Sequence, residues 1–180
     1  METTGRTIPV ARLLVEAGHK SAADSRDVVV APNGSAALIS RSRAAKATGD
    51  DLRRFLEAED WVDRVFTGAE LGARGLPVDE ALAVAVTLRT DDRPNEFGVR
   101  GYSDIALDPE SVLDYTGCGQ HGGLGPNEQR PFLFVRGPGF GPGRRDDDGV
   151  SPLDIAPTVL HHLGLGWVGV DGRPLTRPPA

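Results

Sequence analysis

The chain has 180 residues, 20 basic against 26 acidic, for a net charge of −6. That length fits one domain burying about 70% of its unfolded surface, and the acidic balance argues against nucleic acid or an anionic membrane as main partner. The single cysteine, Cys118, excludes an internal disulfide framework and a thiolate metal cluster.

No run of 18 apolar residues spans a membrane, and Met1 to Arg6 carries no secretory pattern. A cytoplasmic location is the default expectation. Glycine (23) and proline (14) are abundant enough to predict a loop-rich domain. No internal repeat or domain boundary stands out, so residues 1–180 read as one unit.

In chain order, Val10, Leu13, Leu14 and Ala17 recur at helical spacing and predict a helix over 8–18, stopped by Gly18. His19 follows it, where a histidine ordinarily complements the helix dipole. Asp27 to Ala31 and Ser35 to Ser40 flank the turn signal Pro32-Asn33-Gly34 and predict a hairpin. Three consecutive valines there suggest a strand covered on both faces.

Asp50 to Ala58 predicts a short helix with Leu52, Phe55 and Leu56 on one side. Trp61 to Phe66 is undecided between strand and helix. Thr67 to Pro77, broken by three glycines, reads as loop. Ala81 to Leu88 reads as a buried strand ended by the charged run Arg89 to Arg93. Pro94 to Gly101 is turn-rich, and Tyr102 to Thr116 has no clear period.

Phe132 to Val135 reads as a strand, and Gly137 to Gly149 as a loop. Within that loop, Asp146, Asp147 and Asp148 lack a calcium-loop pattern and read as a solvated turn. Ser151 to Gly164 predicts a helix with Ile155, Val159, Leu160 and Leu163 on one face. An N-cap at Asp154 places Pro157 in the first turn. His161 and His162 are adjacent, point about 100° apart and poorly suit one metal. From about 172 to 180 the proline-bearing tail reads as extended or frayed.

The stretch Gly117-Cys-Gly-Gln-His-Gly-Gly-Leu-Gly125 concentrates the chemistry. Five glycines surround His121, whose imidazole can bind a metal or move a proton. The alternative is a glycine-rich loop with an exposed histidine. Cys118 lies three residues from His121, but a Cys–His nucleophile also needs an orienting group and an oxyanion hole.

Four motifs in order extend this stretch: Gly119-Gln-His-Gly-Gly123 with Glu128, Pro131 to Phe140, Asp154-Ile-Ala-Pro-Thr-Val-Leu160, and Asp171-Gly-Arg-Pro-Leu175. With Asp27 to Gly34 and Asn95 to Gly101, they resemble the C-terminal part of the alkaline phosphatase superfamily, in its type I phosphodiesterase and nucleotide pyrophosphatase branch. The resemblance implies an α/β fold, a mixed sheet flanked by helices in an alkaline-phosphatase-like core, here incomplete as its C-terminal half. It implies a hydrolase of phosphate esters or nucleotides with two zinc ions and a threonine or serine nucleophile. His121 matches the last zinc ligand of that family.

The family's nucleophile, first metal-binding aspartate, Asp-x-x-x-His pair and Asp-His-Gly motif have no counterpart in this chain. The 180 residues alone are therefore expected to lack turnover and to retain no zinc. The second reading is a truncated, non-catalytic remnant serving as a binding or interaction module. A sheet cut in half would expose a strand edge and apolar surface, so marginal stability and self-association are expected.

Overall fold

The structure, a computed structural model, describes residues 2–107, 111, 113–129, 131–143, 145, 149–166 and 168–175. It is an α/β protein with one mixed and one antiparallel sheet and few helices. The chain divides into two compact units, residues 1–131 and 132–180. Among the described residues no helix is long and apolar enough to cross a membrane.

In the first unit, β1 (Glu2–Ile8) leads into α1 (Val10–Glu16), which buries Val10, Ala11 and Leu14. His19, just past α1, packs against Phe55 with ring centroids 5.2 Å apart and the planes tilted by 59°. The expected hairpin forms from β2 (Val28–Asn33) and β3 (Ala36–Arg41), paired antiparallel around Gly34-Ser35. The three valines are not covered on both faces: Val28 and Val30 are buried while Val29 is 46% exposed. Strand alternation puts them on opposite faces, and only one face carries the main core.

The second expected helix is α2 (Gly49–Glu57), burying Leu52 and Leu56. A capping box starts it: the Asp51 amide donates to Thr48 Oγ1 at 3.1 Å, and Thr48 N donates to Asp51 Oδ2 at 2.9 Å. Replacing Thr48 with Ala leaves the Asp51 amide without that acceptor. We expect a loss of about 1 kcal/mol, read as a melting temperature lower by roughly 2–4 °C. An unchanged melt would mean that solvent satisfies this helix end equally well.

The undecided segment is a strand, β4 (Val62–Phe66), and β5 (Leu82–Leu88) is the buried strand expected. Thr67 to Pro77 is not all loop, because α3 (Ala69–Gly72) turns once within it and buries Leu71. The antiparallel sheet runs β2-β3-β5-β4. Val84, Val86 and Leu88 of β5 join a core with Ile8, Leu14, Ile39, Leu52, Leu56 and Trp61. Leu82 and Ala85 join Phe66 and Leu71 in a smaller cluster.

The mixed sheet runs β6-β7-β1-β8, with β6 (Thr90–Pro94), β7 (Arg100–Ala106) and β8 (Gly119–Gln120). β1 lies parallel to β7 and antiparallel to β8. The charged run after Leu88 therefore does not stop strand structure; it forms an edge strand, where charged side chains point into solvent. β1 and β7 carry few apolar residues. Their buried positions include Glu2, Thr3, Thr4, Ser103 and Asp104. Arg6 spans the strands, donating to Asp104 Oδ2 from Nε at 3.0 Å and from Nη2 at 2.8 Å.

In the second unit, the expected strand Phe132 to Val135 is absent. These residues carry no regular structure, and their backbone makes no hydrogen bond to another described residue. Phe132 and Phe134 are 84% and 87% exposed. A β-prone run becomes a strand only against a neighbour that pairs with it. The predicted helix appears as a single 3₁₀ turn (Pro152–Asp154) running into α4 (Ile155–His162). Ser151, not Asp154, provides the cap, accepting from Leu153 N at 3.2 Å.

Asp154 has a different task. Its carboxylate accepts from Ser151 N at 3.0 Å and from Arg173 N at 2.9 Å. These amides, Arg173 first, hold its carboxyl below the ordinary range. Leu175 N also donates to Thr158 Oγ1 at 2.9 Å. Residues 172–175 are thus tied back to this helix rather than frayed. The tail from Thr176 and the Asp146 to Asp148 turn lie outside the described residues.

Candidate functional site at the His121 loop

The His121 loop begins on β1. Thr4 N donates to Cys118 O at 2.8 Å, and Gly117 N donates to Thr4 O at 3.0 Å. Strand pairing then sets Gln120 opposite Glu2 and Gly119 opposite Thr3. Alternation along this short strand turns Gln120 inward, where it is buried, and His121 outward, where it is exposed.

Beyond His121 the loop lies against the β2–β3 turn at contact distance. Gly34 has φ of +58°, and a Cβ there would stand 1.7 Å from His121 O. A Cβ on Gly122 would be 2.3 Å from Asn33 O, and one on Gly123 would be 2.0 Å from Ser35 Oγ. A Cβ on Gly125 would be 2.7 Å from Glu2 Oε1. Glycine is required here because two backbone segments touch with no room for side chains. The approach these glycines allow is to Asn33, Ser35 and Glu2 of the same chain.

Glu128 sits in the bend of this loop. Its carboxylate accepts from Ser35 Oγ, 2.9 Å from each oxygen, from Gly123 N at 3.2 Å and from Gly125 N at 3.3 Å. Gln129 Nε2 donates to Gly123 O at 2.9 Å. Loop and turn are thereby joined by side chains as well as by contact.

Beneath the loop is a buried polar cluster. Ser103 Oγ donates to Glu2 Oε2 and accepts from Gln120 Nε2. Glu2 is 2% exposed, and Glu2 Oε1 and Gln120 Oε1 have no partner. Burial raises the Glu2 carboxyl above its ordinary value, and the nearby Glu128 charge adds to the rise; bonds from Ser103 and Asn127 oppose it.

Sequence reasoning singled out His121, and the structure places it exposed at the surface of this loop. Cys118, also exposed, remains a free thiol. His19 is engaged with Phe55, while His161 and His162 close α4 in the second unit. Among the described residues, no three His, Cys, Asp or Glu side chains come together to hold a metal. A catalytic zinc takes about three protein ligands. The described residues thus assemble no complete set of that kind, and no catalytic step through a metal follows from them.

Sequence reasoning missed Glu2, Ser35, Ser103 and Gln120 as parts of the site. Ser35 was legible only as the residue after a turn signal. Glu2 and Ser103 belong to strands whose buried faces are polar, a pattern that apolar periodicity does not register. Compared with known proteins, the chain matches no family model, no curated protein and no solved structure.

Proposed function

We propose that this chain is part of a metal-dependent hydrolase of phosphate esters, similar to type I phosphodiesterases and nucleotide pyrophosphatases. In this reading His121 is one zinc ligand, and the remaining ligands and the nucleophile come from polypeptide outside these 180 residues. The observation that carries it is the presentation of His121: a solvent-facing imidazole on a loop fastened to β1 and to the β2–β3 turn. A ligand imidazole needs such a fixed position, because metal geometry tolerates displacements of only about 0.5 Å. The ordered motifs around it support the same class. An alkaline-phosphatase-like core belongs to this proposal. The zinc would act as Lewis acid on the phosphoryl oxygens, and His121 would serve to hold and orient it.

The second reading, a non-catalytic binding or interaction module, is favoured by one observation. Among the described residues no group of three or more His, Cys, Asp or Glu side chains forms around His121.

The test compares the 180-residue chain with a longer polypeptide that includes its upstream coding segment. Zinc content and hydrolysis of bis(4-nitrophenyl) phosphate are measured for both. The expected result is stoichiometric zinc and turnover in the longer form only, with His121→Ala lowering kcat/KM there by about a hundredfold or more. Near wild-type turnover in that variant would remove His121 from the ligand set. Turnover by neither form favours the module.

A further inference from the structure

We propose that Glu128 is the positioning residue of the His121 loop, a carboxylate clamp that fastens this loop to the β2–β3 turn. Three donors converge on it: the Ser35 hydroxyl from the hairpin, and the Gly123 and Gly125 amides from the loop itself. Those two amides flank Leu124 and belong to no helix or strand, so Glu128 is their acceptor within the described residues. Charged acceptors of this kind form stronger bonds than neutral ones.

The steric evidence is independent of the hydrogen bonds. At Gly123 a Cβ would fall 2.4 Å from Glu128 Oε2 and 2.0 Å from Ser35 Oγ. The carboxylate, the hydroxyl and the loop backbone thus share one space that admits no further atom. Two residues upstream, His121 O is pressed against Gly34. With Gly123 fixed on one side and the β1 pairing of Gln120 on the other, the backbone of His121 has little freedom. The hydrogen bonds of Glu128 go to Ser35, Gly123 and Gly125 and not to the imidazole. The effect of Glu128 runs through the chain, and this makes it a positioning residue.

The clamp rests on geometry alone. Its consequence for His121 rests on the function proposed above, and the two parts are tested by different readouts. The first readout is amide hydrogen exchange at Gly123 and Gly125 in the 180-residue chain. Glu128→Gln is isosteric but replaces one acceptor oxygen with an NH2 group, so at least one of the two amides loses its acceptor and should exchange at least about tenfold faster. Ile39 and Val84, in the antiparallel sheet, should keep their protection. Ser35→Ala removes only the hydroxyl donor and should give a smaller acceleration at the same two glycines.

Unchanged exchange at Gly123 and Gly125 with Ile39 and Val84 still protected would overturn the clamp. If Glu128→Gln unfolds the sheet, Ser35→Ala decides: faster exchange at the glycines supports the clamp and no change overturns it.

The second readout is hydrolysis by the longer polypeptide. There Glu128→Gln should lower kcat by about tenfold with KM within about twofold, as for other residues that orient a ligand indirectly. Wild-type kcat beside accelerated exchange would overturn the role toward His121 and leave the clamp standing. If His121→Ala is itself without effect, the metal reading fails, and the exchange measurement alone judges Glu128.

Discussion

Gly34→Ala should lower stability by about 3 kcal/mol or more, a fall of roughly 6–12 °C in melting temperature. Two separate effects add. At φ of +58° any Cβ meets its own backbone, and at this position it also falls 1.7 Å from His121 O and 2.9 Å from Gln120 Oε1. The obstructing atom is main chain, so no rotamer change relieves it. The β2–β3 turn and the His121 loop must part, and the β1–β8 pairing is strained with them. Gly18→Ala separates the two effects. That glycine has φ of +75° with nothing within 4 Å of the added atom. It should suffer only the conformational penalty of about 1 kcal/mol. Equal melting temperatures for the two variants would show that loop and turn do not press together in solution.

Glu2→Gln should act in the opposite direction and raise stability near neutral pH. Glu2 is buried with one oxygen unpartnered, and its carboxyl is raised above the ordinary value of 4.5, chiefly by burial. The folded state therefore holds this proton to higher pH than the unfolded state does. The sign follows: this group's contribution is fully present below the unfolded value and is lost as pH rises through the folded one. An amide cannot ionise, so the variant lacks that loss. The expected gain is about 1–2 kcal/mol at neutral pH, or roughly 2–8 °C. Near pH 4 the wild type and the variant should converge. Parallel stability curves across this range would mean that Glu2 ionises in the fold without penalty.

What was legible in the sequence was the part of the fold built on apolar spacing. Leu13 and Leu14, then Leu52 and Leu56, announced their helices. The valines and Pro32-Asn33-Gly34 announced the hairpin. β1 and β7 were illegible for a physical reason. Their buried positions are filled by Glu2, Thr3, Thr4, Ser103 and Asp104; Ser103 bonds Glu2 and Gln120, Arg6 bonds Asp104, and Asn95 bonds Thr3. Hydrogen bonds between residues about a hundred positions apart leave no local trace. Phe132 to Val135 shows the converse error. Its composition suits a strand, but strand formation depends on a neighbour, and composition carries no information about that neighbour.

At the candidate site, His121 was legible from its glycine setting, and Glu128 was noticed only as part of a resemblance. Glycine lets backbone approach another group closely, whether a ligand or another segment of the chain. The structure uses Gly122, Gly123 and Gly125 to let the loop lie on Asn33, Ser35 and Glu2. Which of two close approaches a glycine serves is decided by what stands opposite it, and that belongs to the tertiary fold.

The parallel pairing of β1 with β7 also orders events in time. Thr3 lies beside Tyr102 and Ile8 beside Ala106, so β1 must wait for almost a hundred further residues before it can pair with β7. The β2–β3 hairpin, by contrast, closes as soon as its own few residues are made. Contacts between distant residues form late because loop closure must precede them. Folding should therefore proceed from the antiparallel sheet outward, with β1 recruited once β7 is in place. The seat of His121 needs β1, β8 and the hairpin turn together, and so it forms only after β1 has been recruited.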